Sequence, residues 1–305
     1  MRTTRWMIVI GLATALQMAS VARAARDFDK VQIKVQKVAG NVFWLTGAGG
    51  NIAVSRGVDG LLMVDDQFMP LAKKIEAALK GLGNGPLKFV LNTHWHGDHT
   101  GSNPHFGKTA LIIAHRNVRK RLTREQVKKY FKRTIKPLPK SGWPVVTFRQ
   151  SISIHFNGEE IEVIHLPRGH TDGDSVIFFR GSKVVHVGDL FFVDRFPYVD
   201  VDSGGTVEGY LADVRWLLGH IPAGYAIIPG HGAVATLADL KRFEGMLAET
   251  IGRVRGWMKA NKTLDQMRAA GLGAKWKGWG VGFINEKTWI AIIERSLRLS
   301  SSRTK

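Results

Sequence analysis

The sequence of 305 residues contains no cysteine. No disulfide bond can therefore stabilise the fold, and no thiolate can serve as a nucleophile or as a metal ligand. A metal site in this chain must be built from His, Asp and Glu side chains. Because 44% of the residues are hydrophobic, the chain can bury one large core or two smaller ones.

Acidic residues are also scarce, since 25 Asp and Glu stand against 44 Lys and Arg and the formal net charge is +19. A charge of this size favours solubility and attraction to anionic surfaces or substrates, but it does not determine the fold. Residues 116–140 concentrate the charge, with eleven Lys or Arg and the single acid Glu125. The spacing of Val118, Leu122 and Val127 predicts one or two amphipathic helices there, with a basic outer face.

We interpret the basic segment, residues 116–140, as a solvated face of the protein. The alternative is a surface that binds an anionic partner, such as envelope lipid, polysaccharide or an acidic substrate. No nucleic-acid-binding motif accompanies the charge, so nucleic acid is not an expected partner.

The apolar run at the N-terminus, residues 6–19, is shorter than the about 20 residues that a membrane-spanning helix needs. It follows Arg2 and Arg5 and precedes Ala22-Arg23-Ala24, which fits the small-x-small rule for signal cleavage. We therefore predict that residues 1–24 are a cleaved signal peptide rather than a membrane anchor. The mature protein is expected to be periplasmic or secreted, with no stable membrane span after cleavage.

Three imidazoles and one carboxylate lie within six positions, at His94, His96, Asp98 and His99. They follow an apolar stretch, residues 87–91, that predicts a buried strand opening into a loop. In an extended backbone, residues two apart point the same way, so the first two imidazoles are expected to face one point. Imidazole nitrogen and carboxylate oxygen are zinc ligands, so this density predicts a metal site rather than a His-rich surface loop.

Three more candidate ligands lie further along the chain, at His170, Asp189 and His231. Each follows an apolar stretch and a glycine, which is typical of a loop at the end of a strand. In an open α/β sheet, ligands bind beyond the carboxyl ends of strands. Asp65 also ends a predicted strand, and we expect its carboxylate either to hold a metal ligand or its loop, or to act as a plain strand-end cap.

The spacing His-x-His-x-Asp-His, followed by His, Asp and His in that order, resembles the metallo-β-lactamase superfamily over about residues 30–240. The resemblance implies an α+β fold, the four-layer αβ/βα sandwich, with its site at one edge. We predict such a domain over residues 25–240 and a C-terminal helical extension packed on it over residues 241–305. The resemblance further implies two Zn²⁺ per chain. It assigns His94, His96 and His170 to the first zinc, Asp98, His99 and His231 to the second, and Asp189 to both as a bridge.

The same resemblance implies hydrolysis of an activated acyl bond in a small-molecule substrate. Two metals lower the pKa of a shared water, and Asp98 orients the resulting nucleophile. Arg195 and Tyr198 lie between the last two ligands and are expected to reach the site, where Arg195 would hold a substrate carboxylate. The first expectation is β-lactamase-like cleavage of a cyclic amide, because export places the enzyme where such compounds arrive.

Two other functions stay open. An aspartate at position 189 is the pattern of the lactonase and glyoxalase-II-like thioesterase branches, although glutathione is mainly cytosolic. A protein of another class, a non-catalytic metal-holding protein that binds envelope polymers, is also compatible with the basic face.

The sequence further predicts packing of Trp276 and Trp279 on the body of the protein and disorder over residues 300–305. Helices are predicted over residues 70–82, 206–218, 237–258, 264–270 and 289–299.

Overall fold

The computed structural model describes residues 27–303 of the chain. The predicted signal peptide, residues 1–24, lies outside the described residues. No helix within residues 27–303 is long and apolar enough to span a lipid bilayer.

Two mixed β-sheets and a separate hairpin contain the described strands. In chain order these strands are β1 (Lys34–Ala39), β2 (Val42–Thr46), β3 (Ile52–Gly57), β4 (Gly60–Val64), β5 (Leu87–Asn92), β6 (Leu111–His115), β7 (Gln126–Lys128), β8 (Arg133–Ile135), β9 (Val146–Phe148), β10 (Ser151–Phe156), β11 (Glu159–His165), β12 (Ser175–Phe179), β13 (Val184–His186) and β14 (Ala226–Ile228).

The first sheet has seven strands in the order β1-β2-β3-β4-β5-β6-β9. Strands β1 to β4 form an antiparallel meander, whereas β4, β5, β6 and β9 run parallel to one another. The second sheet has the order β10-β11-β12-β13-β14, and only its last pair is parallel. Strands β4 and β12 are buried along their whole length, which explains their continuous apolar sequences.

Eight α-helices are described, and most of them cover the outer faces of the sheets. They are α1 (Ala72–Leu82), α2 (Gly97–Thr100), α3 (Asn103–Phe106), α4 (Arg116–Leu122), α5 (Val207–His220), α6 (Leu237–Lys259), α7 (Leu264–Ala270) and α8 (Glu286–Arg303). Thr236 begins α6 and Thr263 begins α7, each through a capping box that satisfies free backbone N–H groups. Helix α8 continues to Arg303, so the disorder predicted from residue 300 is wrong up to that residue.

Three large apolar clusters lie between the layers of helices and sheets. Leu62, Leu91, Ile161 and Ile177 belong to the cluster between the two sheets. Helix α1 packs on the outer face of the first sheet in a second cluster. Helices α5, α6 and α8 share a third cluster with the second sheet. The order helix, sheet, sheet, helix confirms the predicted four-layer α+β sandwich.

The helices after residue 240 complete the third cluster rather than standing apart. Helix α6 contacts α5 and α8, and α7 contacts α8. Trp289 is fully buried in this cluster, and Trp276 and Trp279 are buried in it as predicted. The predicted domain boundary at residue 240 falls in the first turn of α6.

The basic segment differs from its prediction, because α4 is the only α-helix within residues 116–140. Helix α4 ends before Thr123, and β7 and β8 pair as an antiparallel hairpin. β-branched residues favour strand there, and Lys132 takes φ 48° in the turn. Pro137 and Pro139 prevent a helix from resuming, since proline removes a backbone donor and clashes with the preceding turn. Spacing alone could not separate a helix from a short hairpin over so few apolar positions.

Candidate active site

The first candidate ligand loop leaves the first sheet at the end of β5. The backbone is extended through His96, and α2 then begins at Gly97. This change of conformation directs Asp98 and His99 to a second point beside the first, and the ring centroids of His99 and His94 are 4.2 Å apart. A hydrogen bond to the segment between β2 and β3 also fixes the loop, because Gly50 N donates to the backbone oxygen of Asp98 at 3.0 Å.

Three imidazoles converge to form the first group of candidate ligands. Nδ1 of His96 lies 3.1 Å from Nε2 of His94 and 2.8 Å from Nε2 of His170. These separations suit neighbouring ligands of one tetrahedral ion, since zinc–nitrogen bonds are about 2.0–2.1 Å long. His94 and His170 are buried, and His96 is part-buried.

The other nitrogen of each of these rings is held by a protein acceptor. Nδ1 of His94 donates to Oγ1 of Thr93 at 3.0 Å, and Nδ1 of His170 donates to the backbone oxygen of Tyr198 at 2.6 Å. Nε2 of His96 donates to Oδ2 of Asp200 at 2.8 Å. These contacts fix the ring orientations and leave the converging nitrogens free to bind a metal.

Asp98, His99 and His231 form the second group of candidate ligands. Oδ2 of Asp98 lies 3.5 Å from Nε2 of His231 and 3.9 Å from Nε2 of His99. The His99 ring packs so closely on the backbone of Gly50 that a Cβ at that position would lie 2.1 Å from the ring. Only glycine fits there without displacing the imidazole.

Asp189 lies between the two groups, with one carboxylate oxygen facing each. Oδ2 is 3.3 Å from Nε2 of His170 and 3.7 Å from Nε2 of His94. Oδ1 is 3.0 Å from Nε2 of His99 and 3.3 Å from Nε2 of His231. All seven predicted ligand residues therefore meet at one place, and Asp189 has the position expected of a bridge.

Two imidazoles of the first ligand group have the charge state that a metal ligand needs. Burial lowers the pKa of His94 well below its ordinary value and that of His96 to about 4, so both are neutral. Burial opposes a charge on the His99 ring, but the carboxylate of Asp189 raises its pKa well above the ordinary value. Burial opposes ionisation of Asp189, but the imidazoles of His99 and His231 hold its pKa well below its ordinary value. Nε2 of His99 and Oδ1 of Asp189 are buried without a hydrogen-bond partner, although buried polar atoms normally have one. A bound metal ion would satisfy both atoms.

Asp65 supports this centre from the end of β4. Its carboxylate accepts from Nδ1 of His99 at 2.7 Å and from the backbone N of Thr93 at 2.8 Å. It thus holds both a candidate ligand and the loop, which are the two roles expected from its position. Asp65 takes φ 61°, a conformation that costs about 1–3 kcal/mol in a residue other than glycine and is concentrated at functional sites.

Two buried residues of the centre were not predicted from the sequence, Asp200 and Lys128. Asp200 accepts from Nε2 of His96, from Nζ of Lys128 and, at 3.2 Å, from the hydroxyl of Tyr198. Burial opposes ionisation of Asp200, but His96 and Lys128 hold its pKa well below its ordinary value. Burial lowers the pKa of Lys128 to about 8. No local signal distinguishes Lys128 from the other ten basic residues of its segment.

A cleft of about 680 Å³ opens over the two groups. Rings from three segments form one wall: the Phe131 ring lies 5.4 Å from that of Tyr198 and 5.6 Å from that of Phe283, between centroids. Aromatic side chains also come from other segments. The aromatic lining residues are Phe68, Phe131, Phe192, Phe196, Tyr198 and Phe283.

The basic segment contributes to this cleft and is not only a solvated face. Lys128, Phe131 and Arg133 line it, all from the hairpin β7–β8. Arg195 and Tyr198 line it as predicted. Burial and the neighbouring carboxylate of Asp200 raise the pKa of Tyr198, so its hydroxyl is neutral and engaged with that carboxylate.

Comparison with known proteins agrees with the geometry. The metallo-beta-lactamase superfamily matches residues 40–250, and the chain belongs to this superfamily. It is therefore a metal-dependent hydrolase by family.

Relatives and solved structures extend the comparison. The chain is 26% identical to an atrochrysone carboxyl ACP thioesterase of Claviceps purpurea (strain 20.1), over 79% of this chain and 73% of that protein. It is 25% identical to the acyl-coenzyme A thioesterase MBLAC2 of Gallus gallus, over 63% of this chain and 72% of that protein. The DIM-1 metallo-beta-lactamase shares the fold, with a TM-score of 0.58 and 19% identity over 72% of this chain and 99% of that chain.

Proposed function

We propose that this chain is an exported dinuclear zinc hydrolase whose substrate is an acyl thioester. The observation that carries the dinuclear proposal is the position of Asp189, whose two oxygens face two separate groups of ligands. A donor set of imidazoles and carboxylates, without sulfur, suits zinc. The number of metals and their identity are part of the proposal.

Zinc held in such a site supplies a water of lowered pKa and a Lewis acid for a carbonyl oxygen. The protein's own residues supply the positioning. Asp98 is part-exposed at the floor of the cleft, so its carboxylate can accept a proton from the attacking water. The aromatic wall offers the acyl group an apolar surface.

Two observations support a thioester among the acyl bonds that such a centre can cleave. The lining of the cleft includes six phenylalanine and tyrosine rings, which suit an apolar acyl chain. The two relatives described above are both named as thioesterases. A thioester also needs no acid to protonate its leaving group, and the hydroxyl of Tyr198, which lines the cleft, is engaged with Asp200.

A cyclic amide, which was the first expectation from the sequence, is the second candidate here. Predicted export favours it, since exported enzymes meet such compounds, and Arg195 lines the cleft where a substrate carboxylate would lie. A lactone is compatible with the same centre. A non-catalytic metal-holding protein is disfavoured, because both ligand groups open into a cleft large enough for a substrate.

The test is a substrate panel on purified, metal-analysed protein. We expect two zinc ions per chain, and turnover of an S-acyl N-acetylcysteamine thioester that a chelator abolishes and zinc restores. A chromogenic cephalosporin and a lactone should be cleaved more slowly. Faster cleavage of the cephalosporin would favour the cyclic amide, and two bound zinc ions without any turnover would favour the non-catalytic protein.

Export is proposed from the signal-like sequence of residues 1–24. Intact-mass measurement of protein recovered from the periplasm or medium should give Ala25 as the first residue. A protein that keeps residues 1–24 would be anchored or retained instead.

Binding of the basic segment to an anionic envelope surface is proposed separately. Lys129, Lys132 and Lys136 are exposed, whereas Lys128 is buried. Replacing these three lysines by glutamine should weaken adhesion to anionic vesicles at low salt and leave turnover of a neutral substrate unchanged. Unchanged adhesion would mean that the basic segment is only a solvated face of the protein.

A further inference from the structure

The hairpin β7–β8 places two positive charges on one face. Lys128 and Arg133 are directly opposite each other in its antiparallel register, and both line the cleft. Like charges at directly opposite positions destabilise a strand pair. An arrangement of this kind therefore needs negative charge nearby.

Lys128 has that negative charge within the protein. Its Nζ is buried, donates to the carboxylate of Asp200 and to Oγ of Ser203 at 2.8 Å, and lies 4.0 Å from the centre of the Trp95 ring. Arg133 differs from Lys128, because it makes no comparable contacts among the described residues. Its side chain is exposed, and its guanidinium forms no ion pair or hydrogen bond within residues 27–303.

The rest of the cleft does not supply the missing charge. Its lining carboxylates are Asp98 and Asp189, which belong to the two ligand groups and face their imidazoles. Arg195, on a different segment of the wall, is also exposed and without an ion pair among the described residues. The cleft thus presents two uncompensated guanidinium groups beside an aromatic wall.

We propose that Arg133 binds an anionic group of the substrate, a carboxylate or a phosphate, remote from the acyl bond that is cleaved. A guanidinium offers two parallel N–H donors to either oxyanion and stays charged at all physiological pH values. Arg195 adds a second positive charge to the lining of the same cleft. The inference rests on the proposed acyl hydrolase function, and it assigns specificity to the hairpin rather than to the metal centre.

The experiment compares three S-acyl thioesters with the same acyl group. Their thiols are N-acetylcysteamine, which is neutral, mercaptoacetate, which carries a carboxylate, and coenzyme A, which carries phosphates. For the zinc-loaded enzyme, Arg133→Gln should raise KM about tenfold for at least one anionic thioester while kcat stays within about twofold. Neither constant should change for the neutral thioester. The anionic substrate that responds identifies the oxyanion.

Lys129→Gln is the matched control, since it removes one charge from an exposed position of the same hairpin that does not line the cleft. It should leave all three KM values unchanged. Equal KM values for both anionic thioesters in Arg133→Gln and the parent would overturn the proposal, and so would a rise in KM that extends equally to the neutral thioester.

A second measurement separates this proposal from the proposed function. If the parent cleaves no thioester, calorimetric binding of S-methyl coenzyme A and of methylthioacetate, which lack the zinc-binding thiol, to the zinc-loaded protein still tests the subsite. Weaker binding to Arg133→Gln than to the parent and to Lys129→Gln would support it. Identical binding to all three proteins would overturn it whatever bond the enzyme cleaves.

Discussion

Nε2 of His96 donates a hydrogen bond of 2.8 Å to the buried carboxylate of Asp200, so Nδ1 is the nitrogen that faces His94 and His170. Lys128 donates to the same carboxylate from the hairpin β7–β8. One candidate metal ligand is therefore oriented by a residue that also anchors the wall of the cleft. Metal ligation and the position of the hairpin are expected to be coupled.

Asp200→Asn should weaken this coupling. The substitution leaves one neutral amide oxygen for the three donors that contact Asp200, so the hydrogen bond that orients His96 is weakened or lost. Loss of such a contact typically lowers metal affinity by about ten- to a hundredfold. The substitution also leaves Lys128 buried without a counter-charge, at a cost of about 3–5 kcal/mol in the free energy of unfolding. Zinc titration against a competing chelator and urea unfolding measure the two effects.

Asp202→Asn is the matched control for that substitution. Asp202 lies two residues further along, and its carboxylate contacts Arg295 and the backbone N of Tyr130 instead of a candidate ligand. It should keep the zinc affinity of the parent. An equal loss of affinity in both variants would show that general loosening of this loop, rather than the contact with His96, controls the metal.

Gly50→Ala should disable the second ligand group. The added Cβ would lie 2.1 Å from the ring of His99, which is fully buried and held by Asp65, so the ring has no room to move away. We expect loss of about one zinc per chain and a fall in turnover of at least about a hundredfold. Metal analysis and single-substrate kinetics test this outcome.

Gly97→Ala is the control, because it adds the same methyl group within the ligand loop itself. A Cβ at Gly97 meets nothing within 4 Å, and the position begins α2, where alanine is a better helix former than glycine. It should keep both metals. Full metal content in Gly50→Ala would mean that the His99 ring is not needed where the structure places it.

The ligand residues could be predicted from the sequence because each lies in a short strand-end loop with a local signature. Asp189 and His231 follow a glycine after an apolar stretch, and the motif of His94 to His99 is contiguous. Asp200 and Lys128 could not be predicted. Their contact joins residues 72 positions apart and depends on a hairpin whose apolar spacing also fits a helix. A local sequence pattern predicts which side chains a loop or strand carries, but it does not predict which other segment of the chain those side chains contact in the fold.

Asp213, on α5, should make stability fall as pH rises. It is buried, Oδ2 has no hydrogen-bond partner among the described residues, and burial together with Asp174 raises its pKa from 3.8 to about 8. The folded chain therefore keeps this proton to about pH 8, whereas the unfolded chain releases it near pH 4. The contribution of Asp213 to the free energy of unfolding is therefore fully present below about pH 4 and is lost as the pH rises through about 8.

Asp213→Asn stays neutral at every pH and should remove that dependence. We expect it to exceed the parent in free energy of unfolding by at least about 2 kcal/mol at pH 8, and to match it near pH 4. Urea unfolding at both pH values measures the difference. Asp265→Asn, at a position with 93% of its side chain exposed, should show no such dependence. A difference between Asp213→Asn and the parent that is the same at both pH values would place the pKa of Asp213 near its ordinary value.

Asp189→Ala is the sharpest test of the proposed metal pair. Two dications held about 3.5–4 Å apart repel each other and need a bridging anion, so loss of this carboxylate should weaken the pair more than loss of a terminal ligand. The backbone at this position is held independently, since its oxygen accepts from the hydroxyl of Tyr210 at 2.6 Å. The variant should therefore stay folded, while bound zinc falls from about two per chain towards one and turnover falls at least about a hundredfold.

His105→Ala is the control, because it removes a histidine that lies outside both ligand groups. Its ring is part-exposed and contacts Glu76 at 3.1 Å, outside both ligand groups, so metal content and activity should be retained. His231→Ala gives the complementary comparison, because it removes a ligand that faces only the second group. If Asp189→Ala binds two zinc ions as tightly as His105→Ala and stays active, the carboxylate does not bridge the ions. Zinc loss no greater than in His231→Ala would make Asp189 a terminal ligand and favour a mechanism that needs one metal.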